Sequence, residues 1–349
     1  MKILFLASGE RVPSTRFRIM PLATRLQQAG FDCRVRCGFP QKYQHLWWLG
    51  YRLSHVLKRI SRAAHLIEAA FTRFDCIVIE RELFDDHSVW FEQLFRKLTP
   101  AILLDVDDAI FLRFPEKFEK LLTVSDVVIA GNPSLQEHIA RQHPRVVTIP
   151  TCVDLDRYTL RNFSEASSPL VVGWIGIDAN LEYLEPVFPA LRRLATHHSF
   201  EFRIVTRLGA TVPRLNLAGI PATLVRWAPQ TAIEELHRFD IGLMPLPDTP
   251  WTRYKCGLKL LEYMAVGTVG VASPVGINCD IVQHGVNGFL SRDEAEWESL
   301  LATLLEDAPL RHRIALTARA TVEQHYSVAG NLDKFIEVLR LAAPAAFPQ

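Results

Sequence analysis

Three observations predict an α/β protein of two doubly wound, Rossmann-like domains facing a central cleft. Short apolar runs alternate with helix-period stretches, a polar segment interrupts them near the middle, and the same alternation then restarts. The first series is "KILFLA" (2–7), "CRVRC" (33–37), "CIVIE" (76–80), "AILLD" (101–105), "VVIA" (127–130) and "VVTIP" (146–150). The interruption, "RNFSEASSP" (161–169), has no apolar period and reads as a linker. The second series is "LVVGWI" (170–175), "FRIVT" (202–206), "ATLVRW" (222–227), "DIGLM" (240–244) and "TVGVA" (268–272). Domains are therefore expected at 1–163 and 164–330. The amphipathic stretch "NLDKFIEVLRLAA" (331–343) and the tail to 349 are expected to pack back towards the first domain.

Composition narrows the function classes. The chain has 349 residues, 49% of them apolar, enough for two ordinary domains with sizeable cores. A formal net charge of +1 argues against bulk electrostatic capture of nucleic acid. The six cysteines are scattered, and their spacing completes no zinc set, so they read as reduced thiols and no metal site is expected. "MKILFLASGERVPS" is too short for a signal segment with a cleavage site and reads as a first buried strand. No run of about 18 apolar residues exists to span a bilayer. The expected location is the cytoplasm, or the cytoplasmic face of a membrane.

The stretch "YKCGLKLLEYMAVG" (254–267) carries the chemistry. Leu258, Leu261 and Ala265 recur at helical spacing, so a helix starts near Gly257. Lys255 and Lys259 flank that start, where the helix dipole is positive and a cation costs roughly 0.3–1 kcal/mol. An anion bound at the helix N-terminus resolves the conflict. Gly257 permits close backbone approach there. Glu262 lies three residues after Lys259, a turn deeper, and its carboxylate can accept two hydrogen bonds from a ribose diol. Phosphate then ribose is the order a nucleotide presents. The plain alternative is a Lys–Glu surface pair worth a few tenths of a kcal/mol.

Residues 240–290 resemble the nucleotide-sugar-binding core of GT-B glycosyltransferases of the retaining family 4 type. That family carries a Glu-x7-Glu motif before "MA-x-G-x-P-V-V-A", then "G-x-x-E-I-V" and "G-x-N-G". Here Glu262 stands as the second Glu, followed by "YMAVGTVGVASPVG" and "DIVQHGVNGFL". "VVTIPTCVDLDRY" (146–158) is similar to the family's "IPNGVD" crossover, and "LVRWAPQTAIEELHRFDIGLMPL" (224–246) also matches. The resemblance implies a GT-B fold, a nucleotide-diphosphate sugar as donor substrate, and no obligatory metal or cofactor. It also places Gly176 and Asp178 in the loop over the diphosphate, Arg207 at the cleft and Trp227 beside the nucleobase. Leu258 lies with Gly257 at the helix entrance.

The sequence departs from the family at two places. Tyr254 stands where the first motif acid touches the donor sugar. The loop "GWIGIDANLEYL" (173–184) lacks the Arg and Lys that usually hold the diphosphate. Lys255 and Lys259 are the expected replacements. The resemblance supports Lys259 in particular, because a subset of the family reads "K-x-x-E-Y-M-A", as "KLLEYMA" does here.

In the first half, "SGERVPSTRFRIMPLATRL" (8–26) offers Ser14 or Thr15 as an N-cap. The same stretch brings Arg16 and Arg18 to a helix entrance, for the donor diphosphate or an anionic acceptor. "LLDVDDAIF" (103–111) ends a strand with Asp105, Asp107 and Asp108, read as acceptor- or donor-hydroxyl ligands or as helix caps. Glu80 and Glu82 sit similarly. In residues 41–74, Lys42, Arg52, Lys58, Arg59, Arg62 and Arg73 face one acid, Glu68, among Trp47, Trp48 and Tyr51. That mixture suits an anionic lipid interface, or else a core face.

The expected activity is transfer of a hexosyl or deoxyhexosyl group, with retention, to a glycan or lipid-linked acceptor in bacterial cell-surface polysaccharide synthesis. Lys259, the helix N-terminus and Arg16 would stabilise the departing diphosphate, and Glu262 would read the ribose. No side chain reads as a nucleophile. The rivals are a non-catalytic sugar-nucleotide-binding or scaffold protein, suggested by Tyr254, and an epimerase or phosphorylase of similar architecture. A dinucleotide dehydrogenase is disfavoured, since no G-x-G-x-x-G follows either domain's first strand.

Overall fold

The computed structural model describes residues 1–163, 168–208 and 215–347. They divide into two units, Met1–Asp154 with Tyr254–Cys256 and Val328–Gln349, and Leu155–Arg253 with Gly257–Ser327. The division therefore falls ahead of the polar segment at 161–169. Arg161 shows why, because its guanidinium pairs with Asp240 at 2.6 Å inside the second unit. Residues 164–167 of that segment lie outside the described residues.

The first unit holds a parallel sheet built from β1 (Lys2–Ala7), β2 (Asp32–Cys37), β3 (Cys76–Glu80), β4 (Ile102–Val106), β5 (Val127–Ala130) and β6 (Val146–Thr148). Their order is β2-β1-β3-β4-β5-β6. β3, β4 and β5 are buried along their whole length, which explains their unbroken apolar runs. β6 stops before Pro150, which has no N–H to give the ladder. The helix Leu332–Ala342 buries Phe335, Val338 and Leu339, and Phe335 stacks on Phe5 of β1 with ring centroids 6.4 Å apart.

The second unit repeats the plan with β7 (Leu170–Gly176), β8 (Phe200–Thr206), β9 (Ala222–Arg226), β10 (Ile241–Met244), β11 (Val269–Ala272) and β12 (Phe289–Leu290). Their order is β12-β11-β10-β7-β8-β9, again parallel. Only β12 has no counterpart among the predicted runs. Two residues are too few to show a period. Each sheet reverses its strand order once, at β1/β3 and at β7/β10. At such switch points the carboxyl ends of the strands part, and ligands of open α/β sheets bind there.

Candidate functional site

At the second unit's switch point, β7 and β10 pair at Val172 with Ile241 and at Gly173 with Gly242. Beyond that register Tyr263 bridges the parting strands. Its hydroxyl accepts the Ile175 N–H at 3.3 Å and donates to the Leu243 carbonyl at 3.1 Å. Burial pushes the Tyr263 phenol well above its ordinary range, so it stays a donor. Tyr263 thereby fixes the helix Leu258–Val266 across the crevice.

That helix begins where the sequence places it. Its N-cap is Gly257, at φ +66°, and a Cβ there would lie 2.4 Å from Ile281 Cδ1. Only glycine combines that left-handed backbone with so close a neighbour. The first turn holds no acid. Its N–H groups have no partners within the helix and form a positive end. Lys259 stands in this turn with its ammonium 5.3 Å from the centre of the Trp174 ring, on β7. Gly176 makes the arrangement possible: a Cβ there would lie 2.6 Å from the Trp174 ring edge and 2.9 Å from Lys259 Cε. Trp174 is buried at 1% exposure and gives the lysine stem a rigid wall, with the ammonium over the ring's negative face.

One turn further, Glu262 is buried, and its Oε1 accepts the Tyr158 hydroxyl at 2.8 Å. A carboxylate offers about four lone-pair positions, so it can accept more than this one bond. Along the carboxyl ends of β7, β8 and β9 the other expected donor residues gather. Asp178 accepts the Thr206 hydroxyl at 2.6 Å. Arg207 lies 5.2 Å from the Trp227 ring, and the Trp227 N–H donates to Thr206 at 2.8 Å. Gly176, Asp178, Arg207, Trp227, Gly257, Leu258, Lys259 and Glu262 thus all belong to the second unit. Sequence reasoning missed Trp174, Tyr158 and Tyr263. Tyr158 and Tyr263 lay inside quoted motifs, but nothing in a sequence says that a hydroxyl from residue 158 meets residue 262.

Tyr254 and Lys255 group with the first unit. The Tyr254 ring packs edge-on against Phe111 at 5.1 Å, and its carbonyl accepts from Asn132 at 3.0 Å. Lys255 is close enough for its charge to act on Asp108.

The first unit's own switch point is filled from within. Glu80, at the end of β3, accepts the Ser8 N–H at 3.0 Å, the Thr15 hydroxyl at 2.5 Å and the Ser14 hydroxyl. Ser14 does stand at the N-cap of Thr15–Ile19, but its hydroxyl and that of Thr15 go to this carboxylate and make no capping bond. Arg18 is corrected too. It is buried, forks onto Asp105 at 2.6 and 2.9 Å, and donates to the Ile149 carbonyl at 3.1 Å. That charge pair raises its pKa further against the pull of burial. Asp107 bonds Arg81, and Asp108 lies 3.7 Å from the same guanidinium. Burial pushes both carboxyls up. For Asp107 the Arg81 bond and charge outweigh it and hold the group low, whereas Asp108 stays raised. Asp105, Asp107 and Asp108 thus face arginines of their own unit, Arg18 buried and Arg81 half-buried, and Asp108 also accepts the Ala109 N–H at 3.2 Å. Glu82 likewise pairs with Lys42 at 2.6 Å. Arg16 is half-buried, 5.1 Å from the Phe17 ring. Among the described residues no three metal-ligating side chains converge.

Residues 41–74 contain the helix Gly50–Thr72, whose buried residues, Ser54, Lys58, Arg62 and Ala69, are mostly polar. Lys42, Lys58 and Arg62 are buried. Lys58 donates to the Lys42 carbonyl at 2.6 Å, and Arg62 to the carbonyls of Ala7 and Arg36 at 2.6 and 3.0 Å. Glu68 takes Arg34 and Arg36 of β2. The basic excess therefore does not face outward as a whole, which corrects the expectation. Leu53, Val56, Ile60, Ile67 and Phe71 form an exposed stripe, continued by Trp47 at 89% and Trp48 at 65% exposure. Among the described residues no helix is long and apolar enough to cross a membrane.

Comparison with known proteins follows the same division. Residues 169–307 match the family described as glycosyl transferases group 1. No curated protein matches the sequence significantly. Among solved structures, sucrose-phosphate synthase from Thermosynechococcus elongatus has a TM-score of 0.76 at 16% identity, over 99% of both chains. HepE from Anabaena, in complex with UDP and glucose, scores 0.68 at 18% identity, over 97% of this chain and 99% of its own. An alpha-glucosyltransferase in complex with UDP and a 13-mer DNA scores 0.71 at 14% identity, over 97% of this chain and 98% of its own. That neighbour shows that the fold itself does not exclude nucleic acid, so the near-neutral charge is the argument that remains. The chain has a GT-B fold, and its residues 169–307 match the glycosyl transferases group 1.

Proposed function

We propose that the protein is a glycosyltransferase taking a nucleotide-diphosphate sugar as donor substrate, with no resident cofactor. In this reading a hexosyl or deoxyhexosyl group passes with retention to a glycan or lipid-linked acceptor of bacterial cell-surface polysaccharide. The observation that carries it is Lys259, set in the first turn of Leu258–Val266 against Trp174, with Glu262 one turn deeper. Charge develops on the departing diphosphate, and a pre-positioned ammonium plus a helix N-terminus stabilises it without reorganising. Glu262 accepts the ribose hydroxyls, Asp178 and Gly176 lie over the diphosphate, and Arg207 with Trp227 flank the base. Lys255 and Arg16 keep the diphosphate and acceptor assignments read from their places at helix entrances, and Tyr254 keeps its place at the family's first motif acid.

The outward stripe of Trp47, Trp48, Leu53, Val56, Ile60, Ile67 and Phe71 supports peripheral contact with a cytoplasmic membrane face, with Arg52 and Arg73 exposed beside it. Vesicle sedimentation tests this contact. Binding is expected to persist in high salt, because apolar burial supplies most of it. No binding to any vesicle overturns it.

The direct test of the function is thermal unfolding with ADP, CDP, GDP, UDP and their sugars. A ligand at a hundredfold its dissociation constant stabilises by roughly 2.7 kcal/mol. No stabilisation by any of them overturns the reading. Because Tyr254 replaces an acid, a second reading is a non-catalytic sugar-nucleotide-binding protein. Slow donor hydrolysis by the purified chain decides for the enzyme, and stabilisation without hydrolysis or transfer decides for the binder.

A further inference from the structure

Tyr158 stands on no helix or strand, yet its side chain is 4% exposed and its hydroxyl donates to Glu262 Oε1 at 2.8 Å. Its backbone is held as firmly. The Arg319 guanidinium donates to the Tyr158 carbonyl at 2.6 Å and to the Ala265 carbonyl at 2.5 Å, near the end of the helix that carries Glu262. One arginine thus ties the segment that bears the tyrosine to the helix that bears the carboxylate. A glutamate has three rotatable side-chain bonds, and a hydrogen bond from a fixed phenol selects among its rotamers. The geometry points to Tyr158 as a positioning residue. It aims the Glu262 carboxylate at both ribose hydroxyls of the nucleotide, and it thereby sets the preference for ribose over deoxyribose.

This inference rests on the nucleotide-sugar reading, and its test separates the two. Binding of ADP, CDP, GDP and UDP, each beside its 2′,3′-dideoxy counterpart, is measured by calorimetry for wild type, Tyr158→Phe, Glu262→Ala and the double variant. Tyr158→Phe keeps the buried ring and removes only the hydroxyl. It is expected to weaken ribonucleotide binding by roughly 3- to 10-fold, the range of one net hydrogen bond, and to leave dideoxynucleotide binding unchanged. In the Glu262→Ala background the same change is expected to do nothing further, since there is no carboxylate left to aim. Equal weakening of both nucleotide types assigns Tyr158 to the fold alone and overturns the inference. Full ribose preference in Tyr158→Phe, with loss of it in Glu262→Ala, overturns the inference and leaves the nucleotide reading standing. If wild type binds none of the nucleotides, both fail.

Discussion

The two units place the same topological feature to opposite use. Each sheet reverses order once, but the reversal at β1/β3 is filled by its own side chains, whereas that at β7/β10 is shaped around a lysine. In the first, the Glu80 carboxylate takes Ser8, Ser14 and Thr15, and Arg62 takes the last carbonyl of β1. In the second, β7 ends in Gly176, whose missing Cβ lets Trp174 and Lys259 meet. A cation at a strand end is thus not in itself a ligand site. What distinguishes Arg62 from Lys259 is burial among backbone acceptors, against placement in the first turn of a helix that supplies only donors.

Substitution should break this contrast most visibly in the first unit. Arg62→Ala removes a buried guanidinium that satisfies two carbonyls, and it leaves a cavity. It is expected to cost roughly 2–5 kcal/mol in urea unfolding. Burial lowers the Arg62 pKa to about 10, so it is still charged at neutral pH and the loss applies there in full. On the same helix Phe71 is 86% exposed, and Phe71→Ser is expected to change stability by no more than about 0.5 kcal/mol. Comparable losses from both would contradict the polar-inside assignment.

A smaller effect sharpens it. Burial, then the charges of Arg62 and Arg36, push His65 down to about 4. With a folded value below the unfolded value of roughly 6.5, the unfolded chain binds the proton first. Stability is therefore full above pH 6.5, falls as pH drops towards 4, and loses nothing more from this group below that. His65→Asn is expected to flatten the pH dependence of the urea midpoint between pH 6.5 and 4. An unchanged slope would place His65 outside the buried charge network.

The strands were legible because parallel strands buried on both faces write themselves as apolar runs, and "CIVIE" and "VVIA" coincide with β3 and β5. The helix start at Gly257 was legible for a local reason, a glycine and two lysines where an acid belongs. Long-range pairing was not. Arg18 and Asp105 are 87 positions apart, and both read as ligands until the structure joins them. The helix Gly50–Thr72 misled because its basic and aromatic residues share one stretch, while burial takes Lys58 and Arg62 inside and leaves Arg52 and Arg59 outside with Tyr51 and Phe71. Trp174 lay unremarked in a strand run, and its contact with Lys259 depends on a glycine two residues on.

Lys259→Ala tests the contrast at its centre. Calorimetry with the nucleoside diphosphate that stabilises wild type most, run beside urea unfolding of both proteins, reads ligand and fold separately. The variant is expected to lose roughly 1.5–3 kcal/mol of binding, the range for a charged hydrogen bond, with stability altered by less than about 1 kcal/mol. Unchanged diphosphate affinity, or a loss of stability as large as that expected for Arg62→Ala, would contradict the assignment of the β7/β10 crevice as the site for the donor.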